Sequence, residues 1–216
     1  VFLPHFRDMD SYEKTVHANF CPITQALPYY IKKAFPEIPE NQYLTPVVSF
    51  MYGTKKAAEP FIEMAVSLGF SEAEAKNAFT VAHKKQMECF DRFTELGKQA
   101  LEEARRAERP VIAILGRPYN SFTADANMGI PRKYTSRGYS IIPFDILPFA
   151  DQAIYPNMYW YYGQQDMKAG TLLKNEDNIF VTYISNFSCA PDSFMLHYLK
   201  WIMGTKPFLI LELDSH

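Results

Sequence analysis

Residues 178–214 constrain the fold of this chain more than any other stretch. Ile179-Phe180-Val181-Thr182-Tyr183-Ile184 is an apolar, β-branched and aromatic run, long enough for one buried strand. A turn follows over Asn186-Phe187-Ser188-Cys189-Ala190-Pro191-Asp192. Pro191 suits the first helical turn, where its missing N–H leaves no bond unmade. Phe194, Tyr198, Trp201 and Ile202 then recur at helical spacing, and Gly204 closes the helix. Pro207 to Leu213 forms a second strand. Two strands joined through a helix read as a parallel pair. The arrangement puts the Cys189 thiol at the carboxyl end of a strand and the amino end of a helix. In open α/β sheets that edge is where sites are built. The helix dipole there is expected to favour the thiolate.

Upstream, the chain divides at Glu108-Arg109-Pro110. From residue 108 to 216 strands and helices alternate. Strands are predicted over Val111 to Leu115 and Tyr139 to Phe144, with a loop from Gly116 to Asp125. Helices are predicted over Asn127 to Arg137 and Met158 to Lys174, with a proline-rich connection over 145–157. Four strands alternating with helices predict a parallel, Rossmann-like sheet covered on both faces. Residues 1–107 read as a partial, helix-rich α/β lobe. Val1-Phe2-Leu3 is expected to be a strand tail ending at Pro4, residues 5–19 a loop, and Tyr43 to Phe50 a strand. A helix from Phe20-Cys21-Pro22 to about Phe35 carries Pro28, which implies a kink or a late start. Lys55 to Leu68 is helical, with Ala58, Phe61, Ile62, Ala65 and Leu68 as its buried stripe. Ser71 and Glu74 have capping-box spacing and open a long helix to about Ala107. Its predicted core stripe includes Phe79, Ala82, Cys89, Phe93, Leu96, Ala100 and Ala104, with Cys89 as a core thiol.

Composition excludes several classes. A net charge of -2 over 216 residues gives no electrostatic footprint for nucleic acid or an anionic membrane surface. No apolar run approaches the roughly 20 residues of a membrane span. Three cysteines at wide spacing are not a disulfide framework. Val1 is not a natural start and no signal-peptide pattern follows it, so the sequence reads as a piece of a longer cytoplasmic protein.

The candidate site residues fall in two groups. Cys21 and Cys189 each begin a helix with a proline close behind, which suits a metal ligand or a nucleophile as well as a buried free thiol. Their spacing is not a zinc or ferredoxin signature. Gly116, Arg117 and Asn120, in Gly116-Arg117-Pro118-Tyr119-Asn120, follow the first strand of the second lobe. Glycine there admits close backbone approach, and Arg117 could bind a carboxylate or phosphate. The segment carries neither the G-x-G-x-x-G nor the G-K-[ST] nucleotide fingerprint. Asp192, in the first turn of its helix, is read as complementing the dipole, and Asp145 as a residue that could line the same crevice. No hydrolase or metalloprotease spacing is present, and no catalytic residue is assigned.

Five segments in order carry a resemblance: Phe2-Leu3-Pro4, Cys21-Pro22, the 116–120 segment, Cys189-Ala190-Pro191-Asp192-Ser193-Phe194 and Lys206-Pro207-Phe208-Leu209. Together they resemble the dehydratase-like region of activators of 2-hydroxyglutaryl-CoA dehydratase, relatives of the 2-hydroxyacyl-CoA dehydratases and double-cubane-cluster proteins. The resemblance implies two Rossmann-like lobes with a cysteine-held iron–sulfur cluster, of the 4Fe-4S kind, between them. It implies a low-potential electron delivered by an ATP-hydrolysing activator, in anaerobic metabolism. By motif, Cys21 and Cys189 are the ligand positions. The family commonly has glycine after the second cysteine, where this chain has Ala190. No phosphate loops of the actin-like ATPase type occur, so ATP hydrolysis is assigned to other domains of the same polypeptide. Two thiolates are too few for a four-ligand cluster, so this stretch alone is expected to be metal-free and inactive, with a homodimer or further segments supplying the rest. A docking module for the ATPase domains and a CoA-ester-binding domain are the alternatives.

Overall fold

The structure is a computed structural model that describes residues 1–10, 18–186 and 189–214. It is an α/β protein with two parallel sheets, as the alternation of strands and helices predicts. The chain forms two compact units, residues 1–88 with 156–161 and residues 89–155 with 162–216. The division falls inside a helix, between Glu88 and Cys89.

In the first unit, strand β1 (His5–Phe6) precedes helices α1 (Pro22–Gln25) and α2 (Leu27–Ala34). Strand β2 (Val47–Val48) pairs with β1 in parallel, His5 opposite Val47. Helix α3 (Thr54–Ser67) follows, and α4 (Glu72–Arg106) leaves the unit. The expected end of the first strand at Pro4 is corrected. Leu3, His5 and Arg7 donate N–H bonds to the carbonyls of Leu44, Pro46 and Val48 at 2.9, 2.8 and 3.0 Å. Only alternate residues donate in a parallel ladder, and Pro4 sits at a position where no donor is required. The expected loop over 5–19 is corrected at its start, and its residues 11–17 lie outside the described residues. Pro28 marks a true break, since α1 ends at Gln25 and α2 starts at Leu27. The capping box of α4 forms as its spacing predicts. The Glu74 carboxylate accepts from the Ser71 N–H and hydroxyl at 2.9 and 2.6 Å. The Ser71 hydroxyl in turn accepts the Glu74 N–H at 3.3 Å.

The predicted core stripes of α3 and α4 hold in part. In α3 Ala58 is buried, Phe61, Ile62 and Ala65 are half-buried, and just beyond it Leu68 is exposed. In α4 Ala104 is buried and Phe79, Phe93 and Ala100 are half-buried, while Ala82 and Leu96 are exposed and Cys89 is a surface thiol. Periodicity identifies a face, but a face is buried only where another layer covers it.

The second unit supplies the larger sheet: β3 (Val111–Gly116), β4 (Ile141–Pro143), β5 (Ile179–Asn186) and β6 (Leu209–Leu213). Helices α5 (Pro118–Phe122) and α6 (Ile130–Thr135) lie between β3 and β4. Helix α7 (Tyr161–Leu173) connects β4 to β5, and α8 (Ala190–Met203) connects β5 to β6. The α5 turn was expected to be loop, and α6 is shorter than the predicted Asn127–Arg137 helix. All pairings are parallel in the order β4-β3-β5-β6, so the sheet winds outward in both directions from between β3 and β5.

Side-chain alternation separates the two faces. Ile112, Ile114 and Ile184 pack with Ile130 and Tyr134 of α6 on one face, where the Tyr134 and Thr182 hydroxyls meet at 2.8 Å. Odd-numbered residues of β5 point the other way, and Tyr183 reaches carboxylates on both α7 and α8. Those helices pack closely: a Cβ at Gly170 would lie 2.7 Å from Leu199 Cδ1. The crevice beyond the carboxyl ends of β3 and β5 is therefore the topological switch point, the usual ligand position in such sheets.

Candidate functional site

A buried polar cluster lies at the switch point. Arg117 caps the start of α5 and is 3% exposed; Asp192, in the first turn of α8, is 0% exposed. Arg117 Nε donates to Asp192 Oδ1 at 2.9 Å. The Ser185 hydroxyl donates to Asp192 Oδ2 at 3.0 Å. Tyr183 Oη stands 3.4 Å from Asp192 Oδ1 and 3.3 Å from Asp166 Oδ2, linking the two carboxyl groups. Asp166 Oδ1 accepts the Gly116 N–H at 3.3 Å. The β3 end, the β5 end, α7 and α8 are thus held by one network.

Gly116 is required where it stands. Its φ is +129°, and an added Cβ would lie 2.3 Å from the Ile184 carbonyl oxygen. The close approach sets the spacing of β3 and β5 at the site. Asn120 and Ser121, on α5, are 1% and 2% exposed. Three side-chain atoms on this turn, Arg117 Nη2, Asn120 Nδ2 and Ser121 Oγ, are buried without a hydrogen-bond partner.

Charge in the cluster is finely balanced. Two carboxyl groups share one guanidinium. Burial, followed by the nearby Asp192 charge, raises the Asp166 pKa to about 7, against the opposing pull of the Gly116 N–H, Arg117 and Tyr183. Burial also drives the Tyr183 hydroxyl well above its ordinary range, with both carboxylates adding to the effect. Burial acts to lower the Arg117 pKa, but the charge and hydrogen bond of Asp192 outweigh it and the guanidinium stays protonated.

Each residue singled out from the sequence can now be placed. Gly116, Arg117 and Asn120 stand together at the switch point. Cys189 is the residue before α8, half-buried, with its carbonyl accepting the Ser193 N–H at 2.9 Å. Burial pushes its thiol pKa up, so the thiolate expected from the helix dipole is not favoured; desolvation outweighs the dipole here. Cys21, also half-buried, precedes α1 in the first unit. Ala190 opens α8, and Met128 is the only non-glycine residue with positive φ among the described residues, so a glycine turn is not needed after Cys189. Asp192 does more than complement the dipole, because it is the buried partner of Arg117. Asp145 is exposed, in a short turn after β4. Sequence reasoning missed Asp166, Tyr183, Ser185 and Ser121. The available signal was polar residues at inward positions: Tyr183 and Ser185 alternate with buried apolar neighbours in β5.

An iron–sulfur cluster needs more donors than this. Among the described residues, no group of three or more His, Cys, Asp or Glu side chains is disposed to hold a metal ion. Cys21 lies in the first unit and Cys189 in the second. No helix among the described residues is long and apolar enough to cross a membrane.

A doubly wound parallel sheet with polar side chains gathered at its switch point defines an open α/β protein of the Rossmann-like class. The chain belongs to the family described as CoA enzyme activase uncharacterised domain, whose model matches residues 1–147. The match takes in the Phe2-Leu3-Pro4, Cys21-Pro22 and 116–120 segments and stops short of Cys189. It ties the chain to CoA-enzyme activation. No curated protein and no solved structure matches the chain.

Proposed function

We propose that the chain is the dehydratase-like part of an activator of the 2-hydroxyglutaryl-CoA dehydratase type, working in the cytoplasm with ATPase domains of the same polypeptide in low-potential electron transfer. The observation that carries this reading is the activase-type family match over residues 1–147, which includes three of the five motif segments. The described residues do not fit a complete iron–sulfur cluster. Cys21 and Cys189 would contribute two ligands, with further donors from another segment or a second copy. Such a cluster would supply one-electron chemistry when bound, and the chain's own part is to hold the two thiols and shape the surfaces around them.

The test is anaerobic purification of the chain with its ATPase domains, followed by iron and sulfide analysis and electron paramagnetic resonance with and without ATP. The reading expects iron bound in the assembly, lost in Cys21→Ala and Cys189→Ala, and an ATP-dependent signal. Full iron content in both variants would remove these residues from the ligand set. A second reading, a docking module without a cluster, draws on the lack of a third ligand among the described residues. It expects ATP-dependent association that is unchanged in both variants.

A further inference from the structure

We propose that the turn over residues 116–121 is an oxyanion site, binding a small carboxylate or phosphate group through Arg117 Nη2, Asn120 Nδ2 and Ser121 Oγ. The three atoms belong to side chains 3%, 1% and 2% exposed, and none has a hydrogen-bond partner. Buried polar atoms are almost always paired, so three failures within five residues mark a place built for something else. They stand at the topological switch point, where doubly wound sheets hold ligands.

The donor set selects the ligand. The guanidinium and amide nitrogens can only donate, and the hydroxyl can donate as well. Arg117 spends Nε on Asp192, whose two oxygens are occupied by Arg117, Tyr183 and Ser185, so Asp192 has little capacity left for Nη2. One water accepts at most two hydrogen bonds, so it could serve the two nitrogens only while donating to the Ser121 hydroxyl. A carboxylate or phosphate carries enough acceptor lone pairs for all three, and a guanidinium held on one edge presents the other edge to such an anion. Gly116 lets the turn lie close to Ser121, since a Cβ there would sit 3.1 Å from Ser121 Oγ. The inference does not depend on electron transfer, because an anion site stands or falls without any cluster.

The test is thermal unfolding of the chain at pH 7 in sodium acetate and, separately, in sodium phosphate, each against sodium chloride of equal ionic strength. A ligand that binds the folded state raises the melting temperature saturably. Saturation with acetate assigns a carboxylate ligand, and saturation with phosphate a phosphoryl one. Ser121→Ala is expected to melt no lower than the parent without ligand, since it removes an unpaired buried hydroxyl, yet to bind at least tenfold more weakly. That combination separates a ligand contact from a structural one. Asn120→Ala serves if Ser121→Ala does not fold. Movement of the Asn120 side-chain amide resonances on titration of the unaltered protein gives the same answer without a variant. Absence of saturation with both anions, unmoved Asn120 resonances, or a Ser121→Ala protein that binds like the parent would overturn the proposal.

Discussion

Asp166→Asn tests the electrostatics of the switch point directly. Asp166 is buried, and its pKa of about 7 stands far above the ordinary 3.8. The folded protein therefore keeps a proton that the unfolded chain releases between those values. Below pH 3.8 both states are protonated and the group costs nothing. As pH rises toward 7 the unfolded state binds fewer protons than the folded one, so stability falls with pH and levels off above 7. From pH 5 to pH 8 the loss amounts to roughly 2–3 kcal/mol from this group alone. Asparagine is close in shape to the protonated acid. Its oxygen can accept the Gly116 N–H and its amide can donate to Tyr183 Oη, and it does not titrate. Urea unfolding of parent and variant at pH 5 and pH 8 isolates the effect, because every other titrating group cancels in the double difference. Asp166→Asn should gain roughly 2–3 kcal/mol on the parent between the two pH values. A difference that stays flat within about 0.5 kcal/mol, or one that reverses sign, would refute the burial argument.

Three further outcomes follow from the same geometry. Gly116→Ala combines a positive φ with a Cβ 2.3 Å from the Ile184 oxygen, and should lower stability by about 3 kcal/mol in thermal or urea unfolding. Arg117→Ala strands the fully buried Asp192 carboxylate and should cost about 3–5 kcal/mol, whereas Arg117→Met combined with Asp192→Leu should cost clearly less, as read from a double-mutant cycle. Cys89 is exposed and Cys189 is half-buried with its thiol pushed up, so peptide mapping after brief iodoacetamide treatment at pH 7.5 should find Cys89 modified first.

Legibility differed sharply between the units. The second sheet could be read because its strands are short apolar runs with turns and helices between them, and a strand buried on both faces leaves that mark wherever it lies in the sheet. In the first unit α3 and α4 could be read as helices, but the first strand could not, because it is two residues long and pairs across Pro4 by a ladder that skips the proline. The stripe of α4 failed in its middle for a different reason. Ala82, Cys89 and Leu96 lie on a helix with apolar periodicity, but sequence does not record whether a neighbour covers them. At the site, Gly116, Arg117 and Asn120 could be found because they follow a strand directly. Asp166 could not, since nothing local shows that the face of α7 carrying it meets β5.

The cluster also bears on what Cys189 can do. Burial is the main reason the thiol pKa is raised, and the Asp192 carboxylate and the Arg117 guanidinium lie within electrostatic reach of it. A helix N-terminus stabilises a thiolate when water or a cation helps to carry the charge. Here Arg117 is already paired with Asp192, and Asp166 draws on the same guanidinium. Arg117 still draws the Cys189 pKa down, but by less than burial pushes it up. Any ligation through Cys189 starts from a thiol, and the proton must leave as the incoming cation arrives. Burial first, and the Asp192 charge after it, also hold a proton on Asp166, so the same two causes act on residues from different parts of the chain.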